Sequence, residues 1–190
     1  GQFTANDWSK YAHFMASADI PSGAPLRVDN TQHSDSREQV YGIVQQAKQL
    51  LRDGHVIAPG EADLEISHHY GLERFAEYGL TLINVINREY CKKLLVMLPG
   101  QTHPEQYHKQ KEETFVVLYG GMRLWLDDRP RDCRPGDIVT VGRGVRHRFY
   151  TEQGVVFEEI SSTHYKDDSY YADPAIMANR QRKTTLRYWL

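Results

Sequence analysis

The stretch that decides the fold covers residues 100–120 and has the sequence GQTHPEQYHKQKEETFVVLYG. Gln106 and His108 are two residues apart, so on a strand their side chains point to the same side. A polar turn follows, and Glu113 then opens a strand of alternating apolar residues. Farther along the chain, His147 lies in a second short strand with Phe149 on its own face. Because inward positions crowd together in a small closed barrel, we expect the four polar side chains to converge in its interior.

Burial of these four polar side chains is easier to explain if they bind a metal ion than if they only pack in an apolar interior. Polar rings and carboxylates are costly to bury alone, and a divalent cation held by His nitrogen and Glu oxygen removes that cost. We therefore predict a metal site of Gln106, His108, Glu113 and His147, with Zn, Mn, Fe, Ni or Co as the ion. Gln106 is the weakest donor, and if it only orients water the site reduces to two histidines and one carboxylate. His103 is expected in a surface loop, from which it replaces the missing ligand if the loop folds in.

The rest of the barrel follows from short strands that begin at Leu80 and are separated by turn signals such as Pro99-Gly100. Short strands at this spacing predict a sandwich or small barrel, and hence a mainly β fold with N-terminal helices. The predicted strands cover residues 80–86, 93–98, 114–119, 122–126, 137–141, 146–150 and 155–160.

Helices are predicted before and after the barrel. Residues 36–53 carry an apolar stripe at helical spacing, with Ser36 as the N-cap. A shorter helix is expected over residues 71–77, and another over residues 174–182. Residues 1–34 are polar and rich in turn-forming residues, which favours a strand, a turn and a second short strand there.

Composition narrows the class of protein. The chain has 190 residues, a net charge of −2 and 40% hydrophobic residues, which is typical of a globular fold with no general attraction to nucleic acid. No apolar run approaches the roughly 20 residues of a membrane span, and no segment has the layout of a signal peptide. Two cysteines make no disulfide framework, so we expect a cytoplasmic location.

The spacing of the glycines and of the polar residues resembles the two sequence motifs of the cupin superfamily. Three positions depart from those motifs, with Gln106 in place of a His, Gly142 in place of a Pro and Thr151 in place of an Asn. The resemblance implies a double-stranded β-helix, or jelly-roll, barrel with a metal ion bound by the motif residues. The matched positions are Gly100, Gln106, His108, Glu113 and Gly120 in the first motif and Gly136, Gly142, Gly144, His147 and Thr151 in the second.

A closer resemblance is to the cupin found at the C-terminus of sialic-acid-synthase-like proteins of surface-polysaccharide pathways. It implies a sugar-pathway context and a possible synthase domain upstream. It also implies four segments: a remnant of a small antifreeze-like domain or extended arm (1–34), a helical segment (35–79), the cupin barrel (80–166) and a C-terminal tail (167–190). The stretches that carry it are residues 67–71, 86–93, 108–115 and 162–171.

Catalytic and substrate-binding residues are expected close to the metal. Glu113 cannot be both a tight ligand and a free base, so Glu158 or Glu159 on the last strand is the candidate base. A lysine beside the metal strand would steer an anionic sugar to the barrel mouth. The candidates for substrate contact, with a solvated turn or plain packing as the alternative, are Lys109, Lys111, His164 and Tyr165.

Several functions stay open from the sequence. The first is a metal-binding cupin of a sialic-acid-synthase-like protein that binds or isomerises a sugar in nonulosonic acid biosynthesis; the alternative is a non-catalytic sugar sensor that regulates an attached synthase. A free-standing isomerase of the D-lyxose isomerase kind and an Fe(II) oxygenase rank below these. The expected partner is a small sugar or sugar acid, and neither nucleic acid nor membrane is expected. Aromatic residues in 165–171 and 188–190 favour a homodimer in which one terminal segment packs on the neighbouring barrel. The alternative is that these aromatic residues fold back over their own barrel mouth and gate the metal site.

Overall fold

The structure is a computed structural model that describes residues 30–187 and Trp189. The chain divides into two compact units, residues 1–33 and residues 34–190, and the second unit contains the barrel. The strand and turn expected before residue 30 lie outside the described residues. Among the residues that are described, no helix is long and apolar enough to cross a membrane.

Two antiparallel sheets make up the barrel. The larger has seven strands in the order β12-β1-β2-β3-β10-β5-β8, and the smaller has five in the order β11-β4-β9-β6-β7. This is the mainly β architecture that the sequence predicts. The strands are β1 (Asp63–His68), β2 (Gly79–Asn87), β3 (Tyr90–Met97), β4 (Thr102–Tyr107), β5 (Glu113–Gly120), β6 (Met122–Leu126), β7 (Arg129–Cys133), β8 (Ile138–Val141), β9 (His147–Tyr150), β10 (Val155–Ser162), β11 (Tyr170–Tyr171) and β12 (Lys183–Leu186).

Helix α1 (Asn30–Asp53) covers the outer face of the larger sheet. Its stripe residues Ala47 and Leu50 belong to one buried apolar cluster with Leu64 and Val96 of that sheet. The helix begins earlier than predicted, so the assignment of Ser36 as the N-cap is wrong. The start was missed because residues 30–35 lack the apolar periodicity that predicts a helix. They also contain no Pro or Gly that would end one.

Two short helical elements complete the fold. A single 3₁₀ turn (Leu72–Arg74) leads into α2 (Phe75–Tyr78), which confirms the short helix predicted before Gly79. Helix α3 (Pro174–Ala178) is shorter than predicted. Asn179 at its C-terminal end has extended backbone angles, and the chain continues into β12 instead of further helical turns.

All seven strands predicted from residue 80 onward are present, and five further strands among the described residues were missed. Two of the missed strands carry little apolar alternation: β7 is the polar sequence RPRDC and β4 contains Pro104. In β1, by contrast, Leu64 and Ile66 alternate with polar residues, a signal that was available. β7 and β12 lie at sheet edges, where Pro and charged residues are tolerated. β1, β11 and β12 lie outside residues 80–166, so parts of the predicted helical segment and tail also pair with the barrel strands.

The apolar core between the two sheets ends at a group of polar residues. Phe115, Phe149 and Phe157 contact one another edge to face in this core. His147 packs against Phe115 with ring centroids 6.2 Å apart, and His103 stacks on Phe149 at 4.5 Å. The polar residues of the barrel interior therefore pack directly against the aromatic core.

Candidate metal centre

Three buried side chains meet in the barrel interior. His108 directly follows β4, while Glu113 and His147 are the first residues of β5 and β9. Their ligand atoms all lie within 4.8 Å of one another. The structure thus brings these three residues together at the ends of β4, β5 and β9, and their role as metal ligands stays a prediction.

Hydrogen bonds on the far side of each ring orient the two imidazoles. The Nδ1–H group of His108 donates to the carbonyl of Asp168 at 2.7 Å, and that of His147 donates to the carbonyl of Val145 at 3.1 Å. Since a carbonyl only accepts, each Nδ1 carries the proton and each Nε2 presents a lone pair. The Nε2 atoms of His108 and His147 lie 3.4 and 3.3 Å from the oxygens of Glu113. This is the orientation that metal-ligating histidines require.

A glycine in the loop between β8 and β9 supports His108 from its backbone. Gly144 has φ 78°, a left-handed conformation that favours glycine, and its N–H donates to the carbonyl of His108 at 2.6 Å. The motif glycine thus holds the loop before His147 against the residue that supplies the other imidazole. Two of the candidate ligands are thereby tied together through the backbone.

Unpartnered polar atoms in this cluster fit a bound cation. Gln106 Oε1, His108 Nε2 and Glu113 Oε2 are buried without a hydrogen-bond partner. Buried polar atoms without partners are rare, and each costs about 1–3 kcal/mol. One carboxylate and two neutral imidazoles are a donor set that zinc and other divalent transition ions accept, so the residues present fit a metal.

Gln106 occupies the fourth position that the sequence predicted. It pairs across the smaller sheet with His147, and its amide nitrogen lies 3.3 Å from His147 Nε2. The side-chain amide therefore borders the cluster, and its buried oxygen has no hydrogen-bond partner. Whether that oxygen binds a metal directly stays a prediction.

Lys111 lies inside the barrel, which corrects the expectation of a solvated or anion-steering lysine. Its side chain is only 3% exposed, and its ammonium group contacts Glu113 and lies 2.9 Å from Oε1 of Glu159. Burial alone would lower the pKa of Lys111, but the Glu159 and Glu113 carboxylates outweigh burial and raise it above its usual value. Lys111 is therefore a permanent cation next to the candidate metal ligands, already engaged by two anions.

Charge balance also decides the state of Glu113. Burial would raise the pKa of Glu113, yet this pKa is held well below its usual range, with the Lys111 ammonium as the main opposing cause. Burial lowers the pKa of His147 and favours its neutral form. An ionised carboxylate beside a neutral imidazole is the protonation state in which both can bind a cation.

The two candidate bases on β10 face opposite ways. Glu159 is buried in the pocket, where it accepts a hydrogen bond from Ser161 at 3.1 Å and lies 3.8 Å from the Lys93 ammonium. Glu158 points to the other face of the sheet and pairs with Lys92 at 2.8 Å. Because successive side chains of a strand alternate, the two cannot share one site. The structure therefore corrects the prediction for Glu158 and leaves Glu159 as the inward carboxylate.

The remaining candidates for substrate contact fall in different places. His164 lines the pocket, and burial lowers its pKa to about 3. Lys109 lies instead over the ring of Tyr170, 4.4 Å from its centroid, and Tyr165 is 44% exposed. Lys109 and Tyr165 line a separate, open surface depression, so the structure does not bring them to the metal ligands.

Several pocket residues were missed or misplaced from sequence. His103 is not in a surface loop: it lies in β4 and is 2% exposed, and burial lowers its pKa well below its usual value. Alternation along β3 places Lys93 inward with Leu95, a signal that was available. Strands β1 and β12 add charged residues that no sequence pattern assigned to the pocket. The polar pocket residues not assigned to the site from sequence are Glu65, Ser67, Lys93, Ser169, Tyr171 and Lys183.

Comparisons with known proteins agree with this architecture. Residues 93–157 match the Cupin domain family. The D-lyxose/D-mannose isomerase of Thermosediminibacter oceani is 28% identical over an alignment that covers 74% of this chain and 94% of that protein. The D-lyxose ketol-isomerase of Cohnella laeviribosi is 26% identical, with 77% of this chain and 93% of that protein covered.

Solved structures show the same fold at lower identity. The L-ribose isomerase of Cellulomonas parahominis has a TM-score of 0.64 and 14% identity, over 77% of this chain and 96% of that chain. The L-ribose isomerase of Geodermatophilus obscurus has a TM-score of 0.62 and 16% identity, with the same coverage. With its two antiparallel sheets, its inward motif residues and the match over residues 93–157, the barrel of this chain has the cupin fold.

Proposed function

We propose that this protein is a metal-dependent sugar isomerase that interconverts an aldose and its ketose. The observation that carries the proposal is the buried group of His108, Glu113 and His147, with the Lys111–Glu159 pair directly beside it. The relatives named D-lyxose isomerase cover most of this chain, which supports the same reaction class. The free-standing isomerase that ranked below the sialic-acid-synthase context thereby becomes the first candidate.

The charges of the pocket favour an uncharged sugar. Its basic side chains are already paired: Lys111 with Glu113 and Glu159, and Lys93 with Glu159. At the rim, Lys183 pairs with Glu65 at 2.8 Å. No arginine lines this pocket among the described residues. Since a carboxylate or phosphate substrate would need an unpaired cation, we favour a neutral aldose over the sugar acid that the resemblance implied.

The isomerisation requires one proton to move between neighbouring carbons. His108, Glu113, His147 and Gln106 would hold a divalent ion, which would supply a Lewis acid at a sugar oxygen. Glu159 takes the proton from C2 of the open-chain aldose and returns it to C1, while the hydroxyl proton of O2 passes to O1, so the aldose and the ketose have the same composition. Lys111 stabilises the negative charge that develops on the sugar oxygens during this transfer. Glu113 stays a ligand, which leaves the base role to the second carboxylate.

The pocket must open to admit a sugar. Its cavity volume is about 40 Å³, which is room for a few water molecules. At its rim, Lys183 of β12 pairs with Glu65 of β1, and both side chains are partly exposed. We expect this ion pair to separate when substrate enters, because a partly exposed ion pair contributes only about 0–1 kcal/mol to stability.

The test is turnover of simple aldoses by metal-loaded protein. We expect D-lyxose, D-mannose or L-ribose to be converted to its ketose after addition of Mn²⁺ or Co²⁺, and the activity to disappear with a chelator. Glu159→Gln should lower kcat at least about 100-fold while metal content stays the same. Glu158→Gln is the matched control, since that residue faces away from the pocket, and it should keep wild-type activity.

Other outcomes of this experiment identify the alternatives. Sugar binding without turnover for every aldose would indicate the sugar-sensing module and contradict the isomerase. The sialic-acid-synthase context and an upstream synthase receive no support from the relatives named above. The described aromatic residues Tyr170, Tyr171 and Trp189 contact other segments of their own chain. A homodimer remains a proposal that light scattering can test.

A further inference from the structure

Asp168, whose carboxylate is buried, lies on the far side of the His108 ring from the other candidate metal ligands. Asp168 belongs to the segment that the sequence assigned to the C-terminal tail. Asp168 lies between β10 and β11 and is 1% exposed. No cation contacts its carboxylate among the contacts of the described residues. Because a buried charge is costly unless it is well hydrogen-bonded, the partners of Asp168 show what it does there.

The carboxylate holds the turn between β4 and β5 through three successive backbone N–H groups. Oδ1 accepts from Lys109 at 2.9 Å and Oδ2 accepts from Lys111 at 2.9 Å. The N–H of Gln110 is shared between both oxygens, at 3.1 and 3.0 Å. Consecutive N–H groups that converge on one anion form a nest, a geometry that fixes the backbone around the charge. The turn that connects His108 to Lys111 is thereby locked.

The backbone of the same residue acts on the ring of a candidate ligand. The carbonyl of Asp168 accepts the Nδ1–H of His108 at 2.7 Å. This bond fixes the tautomer of His108 and directs its Nε2 towards Glu113 and His147. Asp168 therefore reaches the site by two routes, through its carboxylate to the turn and through its carbonyl to the imidazole.

We infer that Asp168 is a positioning residue for metal binding, which sets both the orientation of His108 and the place of the Lys111 ammonium. The inference rests on the metal site of the proposed function, but not on the identity of the sugar. A purely structural role, in which Asp168 only fastens the segment after β10 to the barrel, predicts a loss of stability without a change in the metal site. The two roles therefore differ in the metal affinity of folded protein.

The experiment is a Co²⁺ titration of folded Asp168→Asn protein, followed by calorimetry and by the visible absorption of the bound ion. Asn keeps the size of Asp but presents an NH₂ group to one of the three N–H donors. We expect the Co²⁺ Kd to rise about 10- to 100-fold, as for other groups that support a ligating histidine, and the absorption bands to shift. Asp167→Asn is the matched control, because the neighbouring Asp167 is exposed. It should bind Co²⁺ as the wild type does.

Two results of this titration would overturn the inference. One is a Kd within about twofold of wild type and an unchanged spectrum, since 10-fold is the least that such a group contributes. The other is an equal loss of affinity in Asp167→Asn, which would indicate a general surface-charge effect. If Asp168→Asn does not fold, nitrogen NMR of wild-type protein gives the tautomer of His108, and a proton on Nε2 would also overturn it. Failure of the isomerase proposal shows instead as wild-type protein that binds Co²⁺ but turns over no aldose.

Discussion

The ammonium nitrogen of Lys111 lies 2.9 Å from Oε1 of Glu159, and the same nitrogen contacts Glu113, so one buried cation bridges two carboxylates. Glu113 belongs to the candidate metal site on β5, and Glu159 is the proposed base on β10. The lysine thus joins the group that holds the ion to the group that moves the proton. A change at any of the three should alter the charge balance of the other two.

Removal of the Lys111 charge should destabilise the metal-free protein more than the metal-bound protein. In Lys111→Met the two carboxylates lose their shared cation, and breaking a buried pair costs about 3–5 kcal/mol. A divalent ion beside Glu113 restores positive charge, so added Mn²⁺ should raise Tm more in the variant than in the wild type. Thermal unfolding with chelator and with Mn²⁺ measures both effects.

The control for that comparison is Lys109→Met. Lys109 lies on the outside over Tyr170, so its variant should show the metal-induced Tm shift of the wild type. An equal shift in all three proteins would contradict the charge-balance argument.

The two imidazoles should be indispensable for metal retention. Purified protein is expected to hold about one divalent ion per chain, since all four candidate donors serve a single site. His108→Ala and His147→Ala should each lose the ion, because each removes one of only two nitrogen donors. Elemental analysis after dialysis gives the metal content. His55→Asn is the control, since His55 is exposed and its φ of 53° suits Asn; full metal content in the two Ala variants would refute the assignment.

Gln106→His should raise the affinity for transition ions. The amide of Gln106 lies 3.3 Å from Nε2 of His147, so an imidazole there can add a third nitrogen donor to the same ion. Imidazole binds Zn²⁺ and Co²⁺ more strongly than an amide oxygen does. Competition with a coloured chelator measures the Kd of both proteins. Unchanged affinity would mean that position 106 only orients water.

The sequence was most informative where side chains alternate strictly. The strand that starts at Glu113 and the strand that starts at His147 each show their inward face through buried apolar neighbours, so their convergence could be predicted. Choosing between Glu158 and Glu159 needed the register of β10, because both residues are plausible bases until one face is known to be buried.

The parts that could not be predicted depend on contacts between distant segments. Asp168 reaches the turn at Lys109–Lys111 only because β11 pairs with β4, and a two-residue strand leaves no periodic signal. Lys111 resembles a solvated lysine in sequence, since its burial depends on a carboxylate on β10. Charged residues are buried together with partners of opposite charge, and the pattern of a single sequence does not show which residues are partners.

The pH dependence of stability should include a contribution from His69. Its Nδ1–H donates to the carbonyl of Tyr78 at 2.5 Å, and its Nε2 accepts from the hydroxyl of Tyr171 at 3.1 Å, so the neutral ring uses both nitrogens. Burial lowers the pKa of His69 to about 4, against 6.5 in the unfolded chain. Below pH 6.5 the unfolded state therefore binds the additional proton, and the free energy of unfolding falls as the pH falls.

His69 does not lower the free energy of unfolding above pH 7. Between about pH 6.5 and pH 4 this free energy falls, and the loss that His69 causes reaches about 3 kcal/mol at pH 4. His69→Gln keeps one donor and one acceptor but does not titrate, so its stability should fall less steeply over this range. Urea unfolding of both proteins at several pH values, with chelator present throughout, gives the two slopes. The difference between the slopes isolates His69, because the other titrating groups are common to both proteins. His55→Gln is the control and should keep the wild-type slope, since the His55 side chain is exposed and lies outside the buried core. Parallel slopes for His69→Gln and wild type would show that His69 is not held neutral by burial.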